Sequence, residues 1–167
     1  SMLKLLCRHA VENDWRRDDP TVGIRNVKTK SDGFASWSDS DIAAFEKRWP
    51  TGTRERLAFS LLLYTGQRRG DVVQMGRQHV TGQTIRVVQN KTGARLVIPL
   101  HVALRAVIDD TPKEHLTFLT TAWGKPFSAA GFGNWFRESC DAAGLKDRSA
   151  HGLRKAAARR LAEAGCS

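Results

Sequence analysis

The sequence predicts an α+β fold, mainly α, in which one small antiparallel hairpin packs on a helical core. Three observations carry this prediction. Apolar residues recur at helical spacing in most of the longer runs, and one run, residues 53 to 65, is apolar nearly all round. A single pair of β-branched-rich segments, Thr84 to Gln89 and Arg95 to Leu100, is split by the turn sequence Asn90-Lys91-Thr92-Gly93-Ala94. Strands do not alternate with helices, so a parallel βαβ sheet is not indicated.

Leu3, Leu6, Ala10 and Val11 stand near helical spacing and predict a helix over residues 2 to 15, ending with Trp15. Arg16-Arg17-Asp18-Asp19-Pro20 and the polar stretch to Gly33 break the pattern, since proline disfavours helix in the residue before it. Residues 16 to 33 therefore read as a linker, and residues 34 to 167 as the main domain. Ser38-Asp39-Ser40-Asp41 is a capping-box-like start, followed by Ile42, Phe45 and Trp49 on one helical face and by the breakers Pro50 and Gly52. The run from residue 53 to 65 predicts the central buried helix. Val72, Val73 and Met75 suggest a short helix, and further helices are expected around 101 to 109, 128 to 143 and 150 to 164. Phe132, Trp135, Phe136 and Cys140 share one side of the second of these, with Gly144 as its stop. Leu153, Ala157 and Leu161 form a stripe that docks the last helix on the core.

Twenty-seven Lys and Arg against 17 Asp and Glu leave a net charge of +10, which favours a polyanionic partner, nucleic acid first. Cys7, Cys140 and Cys166 are scattered, without the spacing of a metal site or a disulfide framework, and fit a reducing cytoplasm. No apolar run approaches the ~20 residues of a membrane span, so no membrane partner is expected. Trp37, Trp49 and Trp135 fit packing positions better than base-stacking ones, and Trp123 is assigned no role.

Four cationic side chains carry the chemistry. Arg68 follows Thr65-Gly66 at the end of the buried helix, where a glycine turn would project its guanidinium from a rigid base, and Asp71 stands three residues on to hold it. Taken alone, such a string is more often a surface ion pair, and nothing local ranks Arg68 above Arg69. Lys91 lies at the tip of the predicted hairpin, a position usually filled by a solvated turn residue. His151 and Arg154 are three apart and share a face at the start of the last helix, whose N-terminus favours an anion. Arginines grip the oxygens of a phosphodiester bidentately, and a lysine or histidine can protonate a departing oxygen.

Arg68 in Thr65-Gly66-Gln67-Arg68-Arg69-Gly70-Asp71, then Lys91, then His151-Gly152-Leu153-Arg154, resemble in identity and order the phosphate-handling part of the tyrosine recombinases, the phage-integrase family. The resemblance spans about residues 34 to 167 and departs at Lys155, where many members carry a second histidine. It implies the tyrosine-recombinase catalytic-domain fold, with residues 1 to 15 resembling the end of an N-terminal DNA-clamping domain. It implies that Arg68 and Arg154 clamp the scissile phosphate, that Lys91 is the general acid, and that His151 assists proton transfer, with Asp71 supporting Arg68. The reaction it implies is site-specific DNA recombination through a 3′-phosphotyrosine intermediate, with no metal and no cofactor. Double-stranded DNA is the implied partner, with self-association on DNA in the full-length protein and a bacterial, cytoplasmic, nucleoid-associated setting. In the family the nucleophilic tyrosine lies beyond the segment matched by Gly165, so these 167 residues are expected to be inactive alone. Tyr64, the only tyrosine, reads as core. Two other readings stay open: a non-catalytic nucleic-acid-binding module, and a type IB topoisomerase-like enzyme.

Overall fold

The computed structural model describes residues 2–25 and 33–165, which contain seven α-helices, one short 3-10 turn (Arg77–His79) and three short strands. They are α1 (Met2–Glu12), α2 (Asp39–Arg48), α3 (Arg54–Thr65), α4 (Arg69–Val72), β1 (Val80–Thr81), β2 (Thr84–Val88), β3 (Arg95–Pro99), α5 (Val102–Asp109), α6 (Ala129–Ala142) and α7 (Ala150–Glu163). The chain divides into two units, Ser1–Asp32 and Gly33–Ser167. Among the described residues no helix is long and apolar enough to cross a membrane. Cys166 lies outside the described residues, while Cys7 and Cys140 are free thiols.

In the first unit α1 stops at Glu12, three residues short of the predicted end, because Asn13 and Trp15 turn back on its last carbonyls and Asp14 adopts a left-handed backbone. Trp15 is exposed and meets His9 edge-on. The Asp19 carboxylate accepts from the Thr21 amide and hydroxyl, and the Lys4 ammonium donates to the Ile24 carbonyl. Residues 19 to 24 thus form ordered turns rather than a featureless tether.

The second unit is built around α3, whose residues from Leu57 to Leu63 are all buried. The aromatic residues Trp37, Phe45, Phe59, Phe132 and Phe136 interlock on one side of it, with ring centroids 5.0–6.3 Å apart. Rings at these separations add packing energy beyond their buried area. Trp49 and Trp135 are only partly buried, because each keeps an edge near solvent; Trp49 donates its indole N–H to the Ser139 carbonyl. Trp123 is 85 % exposed at the tip of the turn between α5 and α6.

The three strands form one antiparallel sheet in the order β1-β2-β3, with Val87 opposite Leu96 and Ile85 opposite Ile98. Helix α4 begins at Arg69, earlier than the apolar residues Val72, Val73 and Met75 suggest. Helix α6 ends in a Schellman arrangement, in which Leu145 and Gly144 donate to the carbonyls of Cys140 and Asp141. Helix α7 is buried through Leu153, Ala156 and Ala157, in its first half. Leu161 is 56 % exposed, so the stripe predicted to dock the helix does not extend to its last turn.

The capping box of α2 has a consequence at a distance. Ser38 accepts from the Asp41 amide, Asp41 accepts from the Ser38 amide, and the same carboxylate is ion-paired at 2.8 Å with Arg148, directly before α7. Burial pushes the Asp41 pKa up, but hydrogen bonds from Ser38 and from the Arg148 guanidinium outweigh it and leave the carboxyl below its ordinary value. Stability from a depressed carboxyl is present above the unfolded value, about 3.9, and disappears as pH falls through the lower folded value. Asp41→Asn is expected to cost about 2 kcal/mol at neutral pH, lowering the melting temperature by about 4–8 °C. The difference from the unsubstituted chain should shrink below about pH 4. Thermal melts at pH 7 and pH 3 measure both.

Candidate active site

Chain segments far apart in sequence close around one cavity of about 400 Å³ in the second unit, and three of them carry the residues singled out above. The first is the turn after α3. Thr65 donates its hydroxyl to the Leu61 carbonyl at 2.6 Å, and Gly66, in the left-handed conformation, breaks the helix and directs Gln67 to Asp71 along the cavity wall. Only a residue without Cβ takes that conformation without strain.

The β2–β3 turn supplies the second segment, held against the first by a ladder of amides. Gln67, itself buried, donates to the Thr65 carbonyl and accepts from Gln89 Nε2 at 2.7 Å. Gln89 Oε1 in turn accepts from the Thr92 hydroxyl at 2.8 Å and from Arg68 Nη1 at 3.5 Å. One residue on, the Asn90 amide donates to Asp71 Oδ1 at 2.9 Å. Lys91 follows directly and lines the cavity with an exposed side chain.

Asp71 does not ion-pair with Arg68, as the three-residue spacing suggested. Its carboxylate, 4 % exposed, faces the turn instead and fastens the segment that carries Lys91, while Oδ2 is buried without a hydrogen-bond partner. The carboxylate still contributes charge to the site, since it favours the protonated form of Arg154.

The N-terminus of α7 is the third segment. Ser149 caps it through the Gly152 amide, and its carbonyl accepts from the Trp37 indole at 3.0 Å, so the helix start is anchored to the aromatic core. His151 is exposed, with Phe34 packed on it at a centroid distance of 4.9 Å. Lys155, at the position where the sequence departs from the resembled pattern, donates to the Phe34 carbonyl at 2.8 Å and so holds the ring in place. Arg154 lies one turn after His151, half-buried, with Nη1 lacking a hydrogen-bond partner. Burial lowers its pKa, the nearby positive Arg68 lowers it further, and Asp71 opposes both. Two guanidiniums close enough to interact, one with an unpartnered buried N–H, form a place where an anion finds charge and a hydrogen-bond donor.

Arg68, Lys91, His151 and Arg154, singled out in the sequence, therefore all line the same cavity. Sequence reasoning missed Gln67, Gln89 and Asn90, because neutral amides carry no charge signature and their partners lie about twenty residues away. Phe34 and Arg137 were also missed; only the helical spacing Ala129, Gly133, Arg137 hinted that one face of α6 closes the cavity. Two other candidate nucleophiles are set apart from the cavity. Tyr64 is half-buried rather than core, stacked on His101 at 4.5 Å, and burial raises its pKa. Burial, with Asp141 adding to it, pushes the Cys140 thiol up to about 12.

The chain is 26% identical over 147 residues to the integrase of Escherichia phage HK022, and 26% identical over 148 residues to that of Enterobacteria phage 434. Each alignment covers 83% of the chain and 41% of the relative, so the chain spans less than half the length of these curated proteins. Its fold is similar to that of a chain of a lambda integrase dimer bound to a COC′ core site, with a TM-score of 0.78 and 22% identity over 97% of this chain and 64% of that one. Lambda integrase bound to DNA gives a TM-score of 0.75 and 25% identity over 97% and 62%. The integrase from mycobacterium phage Brujita gives 0.70 and 22% over 99% and 57%. Residues 40–167 match the phage integrase family, a span that holds the sheet and Arg68, Lys91, His151 and Arg154, and this chain belongs to the phage integrase family.

Proposed function

We propose that this chain is the phosphate-handling part of a site-specific DNA recombinase, and that its cavity holds the scissile phosphate. The observation that carries the reading is the convergence of Arg68, Lys91, His151 and Arg154 on one cavity, with the positive Arg68 near enough to help lower the pKa of Arg154. Arg68 and Arg154 grip the non-bridging oxygens, where negative charge builds in the transition state. A tyrosine oxygen, supplied from outside these 167 residues, attacks phosphorus; the bond to the 5′-oxygen breaks, and Lys91 delivers the proton that oxygen needs. His151 shuttles protons at the same phosphate, and the reverse sequence joins a new strand. Membership of the family, the positive charge and the basic cavity support duplex DNA as the substrate, acting in a bacterial cytoplasm. Assembly of several copies on DNA follows the same reading.

The test is a nicked suicide duplex carrying the native attachment sequence, incubated with this chain and with a version extended to include a tyrosine-bearing segment. The expected outcome is a denaturation-resistant protein–DNA band from the extended version and none from the present chain, because Tyr64 is outside the cavity. No band from either, with duplex binding intact, would favour the non-catalytic binding module.

A further inference from the structure

The cavity contains two arginines that the recombination chemistry does not use. Arg69 is exposed and lines the wall next to Arg68, and Arg137 lines the wall formed by α6. Among the described residues neither guanidinium has a carboxylate or a carbonyl partner, whereas Arg56, Arg105, Arg148, Arg159 and Arg160 are all ion-paired. A solvated arginine needs no partner, so position decides the matter.

The Arg69 side chain lies against α6 at Gly133. A Cβ at Gly133 would stand 2.3 Å from Arg69 Nη1, 3.2 Å from Cζ and 3.6 Å from Cδ, so the missing side chain is the space that the guanidinium occupies. Arg137 is one helical turn further along the same face, about 6 Å at 1.5 Å per residue. Ala129 and Gly133, the other cavity-lining residues of that face, are small, so Arg69 lies against the helix on the same face as Arg137.

We infer that Arg69 and Arg137 form a second phosphate subsite, which holds a backbone phosphate of the duplex next to the one clamped by Arg68 and Arg154. It rests on the recombinase reading and extends it: the subsite fixes the strand along α6 and carries no sequence information, as expected of phosphate contacts. Arg69 reaches it from the start of α4 and Arg137 from α6, so one phosphate bridges two elements.

Duplex binding by the chain and by the double variant Arg69→Gln/Arg137→Gln, measured over a range of salt concentrations, tests it. Loss of one phosphate contact should reduce the slope of log affinity against log salt by about 0.9. The control Arg159→Gln/Arg160→Gln removes the same charge from the Asp39 ion pairs and should leave the slope unchanged. An unchanged slope in Arg69→Gln/Arg137→Gln, or an equal loss in the control, overturns the subsite while the recombinase reading stands. Absence of salt-dependent duplex binding by the unsubstituted chain overturns both.

Discussion

Gly152→Ala is expected to lower the melting temperature by about 6–12 °C, from a destabilisation of about 3 kcal/mol, and to abolish duplex binding through the cavity. A Cβ at residue 152 would stand 2.0 Å from the Ala35 carbonyl oxygen, 3.2 Å from the Ala35 carbonyl carbon and 3.3 Å from Trp37 Cδ1. The obstacle is backbone, so no rotamer change relieves it. Either the segment carrying Phe34 and Ala35 moves away or the start of α7 does, and each displacement disturbs His151, packed under Phe34, and Arg154, one turn later. The Trp37 bond to the Ser149 carbonyl is strained by the same movement. Differential scanning calorimetry gives the stability change. A fluorescent-duplex titration below the new melting temperature separates loss of the site from loss of the fold.

Arg154 should show the opposite balance. In a version extended to carry the tyrosine, Arg154→Ala is expected to reduce the rate of covalent adduct formation about 10²–10³-fold, the usual cost of removing one donor from a developing oxyanion. The melting temperature should move by no more than about 4 °C, equivalent to about 1 kcal/mol, because burial and Arg68 already work against the Arg154 charge. Arg154→Lys keeps the charge but loses the planar fork, and should fall between the two. A residue whose loss is nearly neutral to the fold and severe for the reaction is one kept for its chemistry. Equal effects on melting and on rate would mark Arg154 as structural.

The local elements were legible in the sequence for local reasons. The α2 capping box is written in four consecutive residues, Ser38 to Asp41, and α3 declares itself by an uninterrupted apolar run. The hairpin was legible because β-branched runs flank a glycine-containing turn. What was not legible depends on partners distant in the chain. Strand β1 is two residues long and exists only because Val80 and Thr81 pair with Ile85 and Thr84. Asp71 looked like a partner for Arg68 because they are three residues apart, yet its oxygen accepts from Asn90, nineteen residues on. Leu161 continued an apolar stripe whose packing ends a turn earlier. Within the site Arg68, Lys91, His151 and Arg154 were identifiable by motif order, while Arg137 and the amide ladder from Gln67 through Gln89 were not. That ladder sets where Lys91 stands.

Nuclear magnetic resonance of the arginine Nε–Hε groups, recorded while a short duplex is titrated into the chain, tests the central claim most directly. Phosphate held by the cavity should produce large, saturable shifts at Arg68 and Arg154, with smaller changes at the ion-paired Arg148 and Arg159. Saturable binding that shifts Arg159 and Arg160 but leaves Arg68 and Arg154 unmoved would place the DNA on another face, and would contradict the account of this cavity as the phosphate site.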